Sequence, residues 1–92
     1  MLFLLNTPDI RALDMVSPLA GDNDRELLLI SDGVYLAVTP RAENLVGFGF
    51  DAVYAEEKAV ADRGLTTAEF CSIVDMNDLV GLLLDHGTII NL

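Results

Sequence analysis

The sequence predicts an α/β domain built on an open, mainly parallel sheet of four to five strands with helices on both faces. Two observations predict it. Short apolar runs alternate with segments of helical periodicity along the chain, the pattern of strands joined by helical crossovers. The first four runs are apolar at successive positions and do not alternate with polar residues, so both faces of each strand are expected to be covered. With 92 residues there is room for one domain, residues 1–92, which at this size buries only about 60–65% of the surface of its unfolded chain.

The strands are expected at Leu2–Asn6, Glu26–Ser31, Ala52–Tyr54 and Phe70–Val74, with a fifth short one over Thr88–Leu92. Thr7-Pro8-Asp9 reads as a helix start, with a capping hydroxyl, a proline at the first helical position and an acid facing the positive end of the dipole. Pro18 removes a helical hydrogen bond, so that helix is expected to kink or stop near Ser17. A second helix begins after Ser31-Asp32-Gly33 and ends by Pro40. There Asp32 is expected to cap through its side chain, and Gly33 to permit a close approach of the turn. Arg41–Phe50 reads as loop plus a helical turn. A third helix, from about Glu56 to Arg63, ends at Gly64-Leu65, where glycine supplies the left-handed cap. Thr66-x-x-Glu69 matches a capping box, but too few residues follow before the next strand to build a helix. The last helix is capped by Asp75 or Asn77 and runs to His86-Gly87.

Two helices carry more apolar surface than one sheet can cover. A helix lying on a sheet needs an apolar stripe of about 100°, and each α-helical residue advances by about 100°. Val34, Tyr35, Leu36, Ala37 and Val38 therefore encircle their helix, and Leu79, Val80, Leu82, Leu83 and Leu84 span about 200° of theirs. Either the two helices bury one another or a C-terminal strand covers the surplus, or a second subunit does. The last reading makes Val34, Tyr35, Leu36, Val80 and Leu84 interface candidates, with Tyr35 and Leu36 pointing away from the sheet.

Fifteen Asp and Glu stand against five Lys and Arg, a net charge of −10. No basic cluster offsets it, which argues against direct binding of nucleic acid or of an anionic membrane, and suits docking to a basic protein. The apolar start, Met1 to Leu5, is broken by Asn6, Pro8 and Asp9 well short of a signal-peptide core or a membrane span. One cysteine, Cys71, excludes an internal disulfide and any Cys-x-x-Cys metal site, and fits a reducing, cytoplasmic setting.

No Gly-rich phosphate loop follows the first strand, and acids occupy the other strand-to-helix junctions at Asp32, Glu56, Glu57, Asp75 and Asp78. Phosphates need amide donors with no carboxylate beside them, so no nucleotide, flavin or other cofactor is expected. The acids read as helix caps. His86, the sole histidine, is a candidate base, but it falls in a last helical turn, where a structural role is the commoner one. Cys71 sits early in the apolar strand Phe70–Val74 and is a candidate sulfur carrier only if its thiol is exposed and acidified.

Several stretches together resemble the TusB/DsrH family, the smallest members of the DsrE-like sulfur-relay fold. They are Glu26-Leu27-Leu28-Leu29-Ile30-Ser31-Asp32-Gly33-Val34, then Val53-Tyr54-Ala55-Glu56 with Ala61-Asp62-Arg63-Gly64-Leu65, and Ile73-Val74-Asp75 with Asp78-Leu79-Val80. The resemblance implies a flavodoxin-like sheet and assembly with two larger homologous subunits of the TusC/TusD or DsrF/DsrE type into a heterohexamer. It also implies service in a sulfurtransferase complex, toward 2-thiolation of tRNA wobble uridine or toward dissimilatory sulfur oxidation. In TusB-type complexes the resemblance implies that a sister subunit holds the persulfide. Some DsrH-type members carry a cysteine at a place corresponding roughly to Ser17-Pro18; this chain has none there, and Cys71 does not match it. The expected role is that of a non-catalytic accessory subunit, the alternatives being a persulfide carrier through Cys71 and a self-associating interaction module.

Overall fold

The computed structural model describes residues 1–92. Its five strands are β1 (Leu2–Leu5), β2 (Glu26–Leu29), β3 (Ala52–Glu56), β4 (Cys71–Val74) and β5 (Ile89–Asn91). Its α-helices are α1 (Val16–Ala20), α2 (Glu57–Asp62) and α3 (Met76–Asp85), and 3-10 helical segments run over Ile10–Met15, Ser31–Ala37 and Arg41–Phe48. All strand pairs are parallel, in the order β4-β3-β2-β1-β5. No helix is long and apolar enough to cross a membrane.

The order dictates where the helices lie. From β1 to β4 each crossover moves one strand in the same direction, and right-handed connections then fall on one face. The return from β4 to the far side of β1 runs the other way, so α3 falls on the opposite face. The side chains divide accordingly. Phe3, Leu5, Leu27, Leu29, Val53, Ala55 and Cys71 point into the larger core, closed by Leu13, Val16, Ala20, Val34, Leu36, Leu45 and Val60. Leu2, Leu28 and Val74 point to the second face, where Leu79, Leu82 and Leu83 of α3 meet them.

The segment Ser31–Ala37 corrects the interface expectation at two positions. Val34 and Leu36 are buried within the single chain, so neither is surface awaiting a partner. The reason is the tighter helix: a 3-10 helix has three residues per turn, so i and i+3 eclipse. Val34 and Ala37 then share one face, Gly33 and Leu36 a second, and Asp32 and Tyr35 a third. The first two faces are buried against β2, β3, α2 and the segment Arg41–Phe48, and only the third meets solvent, with Tyr35 37% exposed. A helical wheel drawn at α-helical spacing points Leu36 outward when it points in.

Asp32 is also corrected as a cap. The residue at the cap position is Ile30, no side chain caps the segment, and Asp32 lies inside the first turn. Its Oδ1 instead accepts from Arg63 Nε at 3.1 Å and Nη2 at 2.8 Å. Ser31 takes φ 51° at this turn, and its N–H donates to Glu56 Oε1 at 3.2 Å. Gly33 has a steric reason to be glycine: a Cβ there would stand 3.0 Å from the Leu5 carbonyl carbon and collide with its oxygen. Beside this close approach Ile30 N–H donates to the Leu5 carbonyl oxygen at 3.0 Å.

The first helical stretch starts later than Thr7-Pro8 suggests. Asp9 is its cap, accepting from the Arg11 N–H at 3.0 Å. Pro18 does not stop it; Pro18 falls in the opening turn of α1, where a missing N–H costs nothing, and the helix continues to Ala20. Gly64 takes φ 61° after α2, and Leu65 N–H donates back to the Val60 carbonyl at 3.1 Å.

Candidate functional site

In an open parallel sheet, ligands bind beyond the carboxyl ends of the strands where successive connections leave on opposite faces. Here that place lies between β3, which leads to α2 on the first face, and β4, which leads to α3 on the second. A cleft of about 190 Å³ opens there, lined by Glu56, Glu57, Lys58, Asp75, Met76 and Leu79 among others. It is smaller than the 300–1,000 Å³ that small-molecule and cofactor sites occupy. Three carboxylates make it hostile to phosphate. The amide end of α3 is already closed, because Asp75 is the cap and its Oδ1 accepts from Asp78 N–H at 2.8 Å.

A second cleft, of about 200 Å³, lies on the first face between Tyr35, Val38, Thr39, Pro40, Arg41 and Leu65. Arg63 sits beside it, its guanidinium carbon 5.9 Å from the centre of the Tyr35 ring. Asp32 holds Arg63 there, and that hydrogen-bonded carboxylate strengthens the guanidinium's hold on its proton. The fold thus brings Asp32 and Tyr35 to one place through Arg63. Sequence reasoning took Arg63 only as a helix end.

Cys71 lines neither cleft. It begins β4, at the opposite end of that strand from Asp75, and its side chain is buried in the larger core. Burial pushes its thiol up to about 11, which keeps it protonated at neutral pH. A nucleophile of sulfur chemistry needs the reverse.

His86 ends α3 and pairs through Nε2 with Glu26 on β2, while the Tyr54 hydroxyl donates to the other oxygen of Glu26 at 2.7 Å. The hydrogen bond to Glu26, with desolvation and the carboxylate's charge behind it, pushes the Tyr54 hydroxyl up to about 12. This chain of three groups fastens the end of α3 to the sheet, and no cleft opens beside it. Its signal in the sequence was parity: Glu26, Leu28 and Tyr54 face one way, but the register of β2 on β3 decides that Tyr54 reaches Glu26.

On α3 the remaining interface candidates are exposed: Val80 is 46% and Leu84 80% accessible, and Met76 beside them 65%. A family model described as DsrH like protein matches residues 8–89. The chain belongs to the DsrH-like family. No curated protein sequence matches it significantly. Among solved structures, the ychN protein from E. coli is similar in fold, with a TM-score of 0.72 over 99% of this chain and 97% of that one, at 15% identity. The α/β sheet expected from the alternating runs is therefore that of a DsrH-like protein, with β5 on the outer side of β1.

Proposed function

We propose that this DsrH-like chain is an accessory subunit of a TusBCD/DsrEFH-type sulfurtransferase complex, supporting persulfide relay in the cytoplasm without holding the sulfur itself. The observation that carries the reading is the state of its only thiol: Cys71 is buried and its pKa is raised, so within a sulfur-relay family the persulfide falls to another subunit. The larger homologous subunits implied by the resemblance would supply it. Transfer toward the 2-thio group of tRNA wobble uridine is the route we favour. The charge of −10 leaves contact with the tRNA to those partners.

The test is to load the co-purified complex with radiolabelled glutathione persulfide and separate its subunits without reductant. Label is expected on a partner thiol and not on this chain, and Cys71→Ala should leave transfer to tRNA unchanged. Label on Cys71 in the assembled complex, or loss of transfer in a Cys71→Ala variant that still folds and assembles, would overturn the reading.

A further inference from the structure

We propose that the cleft on the first face, between Tyr35, Val38, Thr39, Pro40, Arg41 and Leu65, binds an apolar monocarboxylate, its acid group on Arg41 and its apolar body against Val38, Pro40 and Leu65.

Charge singles this cleft out. In a chain with fifteen acids and five bases a free cation is scarce. Arg11 is paired with Asp9, Lys58 with Asp62 and Arg63 with Asp32. Arg25 donates to Ser17 Oγ and to the carbonyls of Gly21 and Phe48. Arg41 has no such partner, and no carboxylate lines the cleft beside it, in contrast to the cleft at Glu56 and Asp75. Glu43 follows two residues later, but in a 3-10 helix residues three apart share a face, so Glu43 leaves on a different side of Arg41–Phe48 and does not pair with Arg41.

The other polar groups of the cleft are also unspent. The Tyr35 and Thr39 hydroxyls make no hydrogen bond within the chain, and the Arg41 N–H finds no acceptor there. Arg63 stands over the Tyr35 ring, but its charge is already met by Asp32, so one positive charge is left to a ligand.

These features define the ligand's class. A guanidinium meets a carboxylate through two parallel N–H···O bonds. One uncompensated cation in a molecule of net charge −10 balances a monoanion and leaves a phosphate dianion underpaired. Val38 and Leu65 are half-buried in the wall and Pro40 is exposed beside them, so an apolar body gains by covering all three. A volume of about 200 Å³ is below that of nucleotide and cofactor sites and admits a group the size of one branched side chain. Such a carboxylate belongs to a free small acid or to the last residue of a peptide, and the chemistry that recognises it is the same.

The test titrates the isotope-labelled full chain at neutral pH and follows its amide resonances by NMR. The probes are isocaproate, its neutral amide, inorganic phosphate, and acetyl-alanyl-leucine, which presents the carbon skeleton of isocaproate at a peptide end. Isocaproate should give saturable shifts in the millimolar range, centred on Tyr35, Val38, Thr39, Arg41 and Leu65, while the amide and phosphate bind about tenfold more weakly or worse. Arg41→Gln, at an exposed side chain, should weaken isocaproate about fivefold or more with unchanged far-UV circular dichroism. Arg11→Gln, which removes the same charge outside the cleft, should change it less than about twofold. Tighter binding of acetyl-alanyl-leucine than of isocaproate assigns the carboxylate to a chain terminus, and equal or weaker binding to a free acid. Shifts that do not saturate or that centre elsewhere, an amide or phosphate that binds as well as isocaproate, or an Arg41→Gln variant of undiminished affinity would each overturn the proposal.

Discussion

Two glycine-to-alanine substitutions in this chain should change stability with opposite signs. At Gly33 a methyl group would enter the space of the Leu5 carbonyl, a backbone group of a central strand that has no rotamer to change. The segment Ser31–Ala37 must then retreat from β1 by about an ångström, loosening the contacts of Val34 and Leu36, and overpacking of this kind costs about 1–3 kcal/mol. At Gly81, in the middle of α3, an added Cβ meets nothing within 4 Å, and alanine is favoured over glycine in a helix interior by about 0.5–1 kcal/mol. For a domain of this size 1 kcal/mol moves the melting temperature by about 4–8 °C. Gly33→Ala should therefore lower it by about 4–24 °C, and Gly81→Ala should raise it by about 2–8 °C. Thermal denaturation followed by circular dichroism, with urea midpoints at constant slope as a check, reads both. A neutral Gly33→Ala would mean that the close approach of the second crossover to β1 is absent in solution, and with it the packing described for that face.

Leu36→Glu should unfold the isolated chain, because the carboxylate would be desolvated inside the single-chain core; a loss of about 3 kcal/mol or more is expected in urea titration, and a stable, soluble variant would contradict the burial. Asp32→Ala should change stability by about 0.5 kcal/mol at most, since its partner Arg63 forms a solvent-facing pair with it, and a loss of 1 kcal/mol or more would restore Asp32 as a helix cap. Alkaline titration should expose Cys71 and Tyr54. Both hold their protons more tightly when folded than at their ordinary values of 9.0 and 10.0, so their contribution is full below pH 9. It is lost as pH rises to about 11 for the thiol and about 12 for the phenol. Urea midpoints of the wild type should fall across that window and those of a Cys71→Ala, Tyr54→Phe double variant should fall less; equal slopes would refute both shifts.

The middle of the sheet was legible in the sequence because β1 and β2 are covered on both faces, and an unbroken run such as Leu27-Leu28-Leu29 has no other comfortable place in a small α/β domain; the outer strands β4 and β5 leave Ser72, Ile73 and Ile89 exposed. The turn glycines were legible for local reasons, Gly64 by its left-handed backbone and Gly33 by the strand beside it. What escaped was the pitch of the connections. Nothing in Ser31–Ala37 distinguishes a 3-10 from an α-helix, yet the difference of about 20° per residue, accumulated over two or three positions, moves Leu36 from solvent into the core. The partners of charged groups escaped as well. Arg63 reaches Asp32 and His86 reaches Glu26 across different elements, and such pairs follow from strand order, which one sequence does not state. Val80 and Leu84 were readable as surplus because α3 is a regular α-helix and the wheel applies to it.

The placement of β5 beside β1 also fixes how the molecule bears load. The two strands run parallel, with Leu2 opposite Ile89, Phe3 opposite Ile90 and Leu4 opposite Asn91. Tension applied between residues 1 and 92 draws β1 backward along its own axis and β5 forward along its own. The hydrogen bonds joining them, among them Leu2 N–H to the Thr88 carbonyl at 3.0 Å and Leu92 N–H to the Leu4 carbonyl at 2.9 Å, are then strained together in shear rather than peeled one by one. An antiparallel hairpin pulled from its open end would unzip at low force. This sheet is clamped along the line of pull, and its terminal strands must slide past one another before the core can open.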